Sequence, residues 1–451
     1  MLVNFRRVLF VGAVAATGVF GPLGCRADGE SDFDRGERLL QQKNYREAIA
    51  AYEAAEQKEP GSARTMRQLG MVYLALGDRA AAIKSLEVSS DRAPTDTTVR
   101  LTLGQLYLAG GRADEAIREA NAVLDQAPAN VAALNIAGAA QLARNEPAKA
   151  VETYGKIAKL APKDAKAQYQ VGVALMAAGE ASQALARFES VLALSPTFFE
   201  ALAKILSIDV AAKRSDAAIA RVKKQIAVVG DSVALKELLA IAYATSGDRA
   251  RAEVTFREVI RRSPAHLAPY VRLGELYRDW GRYDEAIAVV RSALKVEPRN
   301  VDLMLVMGVT YEAKGDRVGA RLAYEAALAL DPAFVIAGNN LAMLLAESGT
   351  QLDRALQVIT TARQADPANP ALTDTFGWVL FKRGDFANAV TTLAEAAAKL
   401  PGEPTVAYHL GMAEAKAGDS TAARRDLQRA VSSASTFPEM AAAKKALAAL
   451  K

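Results

Sequence analysis

The sequence predicts an all-α protein, an α-solenoid of about twelve helix-turn-helix units closed by a C-terminal capping helix. Three periodicities carry this expectation. Alanine recurs at 48, 82, 116, 150, 184, 218, 252, 286 and 320, always at the same interval, and resumes at 355, 389 and 423 after a one-residue slip. Proline follows most of these alanines at a fixed offset, from Pro60 and Pro94 to Pro367 and Pro401, so that ten of the 16 prolines share one phase. Glycine precedes the alanines by an equal offset at Gly36, Gly70, Gly104, Gly138, Gly172, Gly274, Gly308, Gly377 and Gly411. At 451 residues the chain is too long for one conventional core, and a repeat array resolves that difficulty.

The first element, residues 1–24, reads as a signal peptide. Arg6 and Arg7 precede an apolar stretch from Val8 to Phe20, the charge and length pattern of an export signal. The stretch is shorter than the ~20 apolar residues of a membrane-spanning helix. It leads to Gly21-Pro22-Leu23-Gly24-Cys25, which holds the chain's one cysteine. This segment resembles a bacterial lipoprotein signal, in which a small residue precedes a cysteine that becomes lipid-modified. Gly24 and Cys25 match. Pro22 departs, because the family usually has leucine three residues before the cysteine, and Leu23 sits one place late. The resemblance makes Cys25 the expected lipidation site and residues 25–30 a short tether. Arg26, in place of aspartate, resembles lipoproteins sorted to the outer membrane. An ordinary signal cut after Ala27, an incidental cysteine and, through Arg6-Arg7, a twin-arginine signal remain open.

Residues 31–436 form the expected array. In the unit 267–300, Tyr270, Leu273, Gly274 and Tyr277 recur at the spacing of a first helix. Gly281 ends that helix, Ala286, Val290 and Ala293 give the facing stripe of a second, and Pro298 stops it. Gly274 and Ala286 lack bulk where the two helices meet. One hairpin cannot bury its apolar face alone, so neighbours must stack. The phase of small residues and proline resembles the tetratricopeptide repeat family. That resemblance implies a right-handed superhelix with first helices lining the concave side. Two departures stand out. Residues 199–232 carry Leu206 and Gly230 at the glycine and proline places, with Ala240 following, a pattern that fits either a bend or plain repeat drift. The unit containing Asn339 has an extra residue near Thr350 to Leu352. Residues 437–451, with Met440, Ala443, Leu447 and Leu450 in helical register, read as the capping helix.

Composition removes several function classes. The net charge is +5 with acids and bases interspersed, so no basic block marks a nucleic-acid interface. One cysteine, and two histidines as distant as His266 and His409, leave no expected metal site or cofactor. Neither histidine is expected to be more than a surface or packing residue. No phosphate-binding glycine loop, paired-carboxylate site or nucleophile triad emerges, and an enzyme is not expected.

Binding is what such an array offers. Projecting repeat positions onto the implied concave side nominates Arg67, Met71, Tyr169 and Met176 early, then Glu275, Arg278 and Asp279. The last three units give the partner-binding candidates: Asn339, Met343, Asp374, Trp378, Phe381, Lys382, Tyr408 and Met412. Aromatics and methionines with a few polar groups are the mixture of binding hot spots. The competing expectation is that Trp378 and Phe381 pack against adjacent helices. Phe33 and Glu37 do not match the family's carboxylate-clamping residues, and no later trio does. The expected function is a non-enzymatic protein–protein interaction scaffold on the periplasmic side of a bacterial membrane. It would be a lipoprotein whose protein partners form an envelope complex, and the resemblance points first to exopolysaccharide export. The alternatives are a pilus or secretin assembly factor and a glycan-binding module in which Trp378, Phe381 and Tyr408 stack on sugars of peptidoglycan or an exported polymer.

Overall fold

The computed structural model describes residues 30–433 and 437–450. The expected signal peptide and Cys25 lie outside them. Among the described residues there are 25 α-helices and no strand. The odd-numbered helices from α1 (Asp32–Gln41) to α23 (Pro404–Ala417) are first helices, each followed by its second helix. This gives twelve hairpins, and α25 (Met440–Ala449) packs on α24 (Ser420–Val431). The chain divides into two compact units, one ending at Ser195 and the other starting at Pro196.

The periodic residues explain each hairpin. All twelve phased alanines, Ala48 through Ala423, are completely buried. Eight of the nine phased glycines answer to a residue at one fixed place on the second helix, and Gly104 instead meets Ile136 of the following first helix. A Cβ on Gly172 would sit 2.6 Å from Phe188, and one on Gly138 would sit 2.7 Å from Tyr154. Glycine thus opens a hole in the first helix that a bulky residue of the second fills, the complementarity close-packed interiors require. Where Leu206 takes the glycine's place, the residue opposite it is Val222, and both are buried.

Helix starts are capped by short polar side chains. Asp96 accepts from the Val99 amide at 3.1 Å, Asn130 from Ala133 at 3.0 Å and Asn300 from Leu303 at 3.0 Å. Several first helices end on a left-handed glycine such as Gly77. The extra residue is absorbed between α19 (Val335–Ser348) and α20 (Leu352–Ala365), where Gly349 and Gln351 both take positive φ.

First helices of successive hairpins also touch one another. In the first unit α5 (Thr97–Ala109) meets α7 (Val131–Ala143); in the second, α19 meets α21 (Pro370–Lys382), which meets α23. Within each unit these contacts set first helices side by side, and those helices carry the candidate binding residues. In the described residues no helix is long and apolar enough to cross a membrane.

Candidate functional site

On the second unit the first-helix face of α19, α21 and α23 is largely filled by its own side chains. Trp378 is 3% exposed. Phe381 stacks on it at 4.6 Å between ring centroids and 8° between planes, and His409 at 4.1 Å and 18°. The indole N–H donates to Glu347, and the Lys382 ammonium lies 4.9 Å from the ring while pairing with Glu347 at 3.4 Å. Asp374, also buried, holds His409 Nδ1 at 3.0 Å from each carboxylate oxygen. Tyr408 is buried against Trp378 and Phe437, and burial raises its hydroxyl above the usual tyrosine range, with Glu439 and Glu347 adding to the effect.

These positions correct the sequence expectation. Asp374, Trp378 and Tyr408 are 6%, 3% and 6% exposed and bind the last hairpins to one another, as the competing expectation of packing against adjacent helices has it for Trp378. Sugar stacking on Trp378 loses its platform, because Phe381 and His409 already lie parallel to the indole. Asn339, Met343, Phe381, Lys382 and Met412 remain partly exposed. Asn339 Oδ1 is buried without a hydrogen-bond partner among the described residues.

On the first unit the same face is open. Between α3 (Ala63–Leu76) and α5 lies a cleft of about 330 Å³ lined by Arg67, Gln68, Met71, Leu86, Thr98, Val99 and Thr102. Met71 is 41% exposed, and Arg67 reaches Asp96 at 3.3 Å while keeping much of its guanidinium in solvent. The residue that matches Trp378, one place after the phased glycine, is here Met71, and Thr98 and Thr102 line the cleft from α5. One wall is fixed: Glu37 accepts from the Tyr52 hydroxyl at 2.7 Å and from the Gln68 amide. Burial, then Glu37, raises the Tyr52 hydroxyl far above its ordinary range, so it stays a donor. Sequence reasoning nominated Arg67 and Met71 but missed Glu37, Gln68, Thr98 and Thr102. The available signal was a 31-residue spacing, shared by Glu37–Gln68 and Glu347–Trp378, that bridges successive first helices.

Models of the tetratricopeptide repeat match residues 39–106, 74–135, 137–197, 237–300, 271–333 and 375–450, well over half of the sequence. The chain belongs to the tetratricopeptide repeat family. A TPR repeat-containing protein of Pseudomonas aeruginosa, PA4667, is 27% identical over 128 residues, 28% of this chain and 22% of that protein. The Drosophila melanogaster homologue of the BBSome complex member BBS4 is 24% identical over 158 residues, 35% of this chain and 32% of that one. The chain thus matches less than a third of either relative's length. Among solved structures, yeast Tom70 is similar with a TM-score of 0.45 and 16% identity over 93% of this chain and 94% of that one. The APC/C Cut9–Hcn1 hetero-tetramer gives 0.43 and 12%, over 91% and 95%. As an array of tetratricopeptide repeats, this chain is a protein-interaction scaffold. Its first-helix faces, one cleft-bearing and one filled, are the surfaces on which that role is to be sought.

Proposed function

We propose that this tetratricopeptide repeat protein is a non-enzymatic scaffold that receives an extended segment of a partner protein along the first-helix face of its first unit. The carrying observation is the cleft between α3 and α5. It combines an exposed methionine, a part-exposed arginine and hydroxyl and amide groups in one concavity. We propose further that the chain is exported and held by a lipid on Cys25 at the periplasmic face of a bacterial outer membrane. Support for that address comes from Arg6 and Arg7, the apolar stretch from Val8 to Phe20, and the Gly24-Cys25 pair. The machine it serves is exopolysaccharide export, a reading that rests on family likeness alone.

Each part has its own test. Cys25→Ser should move the protein from the membrane to the soluble fraction; unchanged membrane residence refutes the anchor. A photo-crosslinking residue at position 71 should give a discrete adduct with one envelope protein, and the same residue at position 254, an exposed second-helix site, should not. Equal labelling from both positions would count against the cleft. Deleting the gene should cut secreted polymer while pili still assemble; the opposite outcome favours pilus or secretin assembly.

A further inference from the structure

The outer side of the second helices is mostly polar on the neighbours of α18 (Arg317–Leu330), where Val296 at the end of the preceding helix is the large apolar exception, and mostly apolar on α18 itself beyond Arg317. The preceding second helix, α16 (Tyr283–Val296), exposes Asp284, Arg291 and Lys295, and α20 exposes Asp353, Arg354, Gln357 and Gln364. On α18 the exposed side chains at helical spacing are Val318 at 62% and Leu322 at 54%, followed by Ala326 and Ala329. This is an apolar stripe along the length of the helix, and the hairpin's own core does not use it. Ala320, Ala323, Tyr324 and Ala327 face that core instead.

The stripe has two further properties. Its bulk is graded, large in the N-terminal half and small in the C-terminal half. Its edge carries Arg321 and Glu325, which pair within the helix at 3.0 Å. An antiparallel copy of the same helix matches both. Reversing α18 on itself sets Val318 against Ala329 and Leu322 against Ala326 in one register, large into small. The same register brings Arg321 of each helix within reach of Glu325 of the other. A parallel arrangement would stack large on large and like charge on like.

We propose that the outer face of α18 is a self-association surface, through which two copies of the chain pair antiparallel about a two-fold axis. Such an interface is isologous and closes at the dimer. A single helix pair buries less than the roughly 1,200 Å² of a stable interface, so the dimer is weak and concentration-dependent. It leaves the first-helix faces free and does not depend on the partner proposed for the cleft.

Sedimentation equilibrium of the purified full-length chain tests this. The native protein should pass from monomer to dimer as concentration rises. Leu322→Glu, at a solvent-facing position that does not disturb the core, should weaken association about tenfold or more, as expected for losing a buried leucine contact. Arg321→Glu should weaken it by repulsion from Glu325, and the double exchange Arg321→Glu with Glu325→Arg should restore it. A chain that stays monomeric at every concentration, or a dimer indifferent to Leu322→Glu, overturns the proposal. A dimer that Arg321→Glu weakens but the double exchange does not restore overturns the antiparallel pairing.

Discussion

The first-helix face around α3 and α5 and the one around α19, α21 and α23 put one repeat position, the residue after the phased glycine, to opposite ends: Met71 is 41% exposed and Trp378 3%. In the first, a cleft lined by Thr98 and Thr102 of the next first helix lies open beside Met71. In the second, an indole sandwiched by a phenylalanine and a histidine fills the space and ties three hairpins together. The difference teaches that large groove-side residues in a repeat array need not be contact residues. Once neighbouring hairpins supply partners such as Glu347 and His409, an aromatic becomes an internal joint. In the first unit the residue that matches Trp378 is Met71, and it stays accessible beside the cleft.

The sharpest way to break this comparison is truncation of one residue on each face. Trp378→Ala should cost about 3–5 kcal/mol, the range for removing a buried tryptophan, and should loosen amide protection in α19, α21 and α23. Met71→Ala should change stability by less than about 0.5 kcal/mol while weakening partner capture. Hydrogen exchange is the better readout, since an array of this length need not unfold in one step. Equal effects would mean that both faces are structural.

Glycine replacement should repeat the contrast at smaller scale. A Cβ on Gly411 would lie 2.8 Å from Leu427 Cγ and 3.0 Å from the Leu427 backbone nitrogen, so the hairpin has to separate. Gly411→Ala should cost about 2–3 kcal/mol. Beside the cleft, the nearest atoms to a Cβ on Gly104 belong to the Ile136 side chain, at 3.2 Å, and that side chain can yield. Gly104→Ala should cost under about 1 kcal/mol, and comparison of urea midpoints checks the order.

The fold was legible because its signals are local. Alanine at a constant interval, with glycine before it and proline after it at fixed offsets, reports on one hairpin at a time, and all twelve alanines are indeed buried. The binding residues were less legible for a physical reason. Projection onto a helix face says which way Trp378 points but not that His409, in the next hairpin, will lie flat on its ring. Nor does it say that Glu347, in the hairpin before, will take its N–H. Exposure depends on what neighbouring units contribute, and no single repeat records that. The lipid address rests on residues 1–25 and remains a matter for the Cys25→Ser experiment.

The last hairpin also carries a pH dependence of its own, between α23 and α24. Burial, reinforced by Asp426, pushes the Glu414 carboxyl up to about 7. A carboxyl whose folded value exceeds its unfolded one prefers its proton in the folded state. Its contribution is therefore fully present below the unfolded value and is lost as pH rises toward 7. Glu414→Gln should raise the melting temperature above pH 7, do little at pH 4, and flatten the profile between. A variant as pH-sensitive as the native chain would place the titration elsewhere.

The smallest effect concerns the turns that close the two faces. After α3 the chain uses Gly77 at φ 83°, which costs glycine nothing, whereas the longer turn before α20 forces Gln351 to φ 53°. A side chain held in that left-handed region costs about 1 kcal/mol. Gln351→Gly should recover most of this, and Gly77→Ala should lose a similar amount. Neither introduces a contact, because a Cβ on Gly77 would meet nothing within 4 Å. The two changes therefore isolate backbone strain from packing. If Gln351→Gly fails to stabilise, the extra residue is held by its surroundings rather than merely tolerated, and the turn belongs to the filled face as much as Trp378 does.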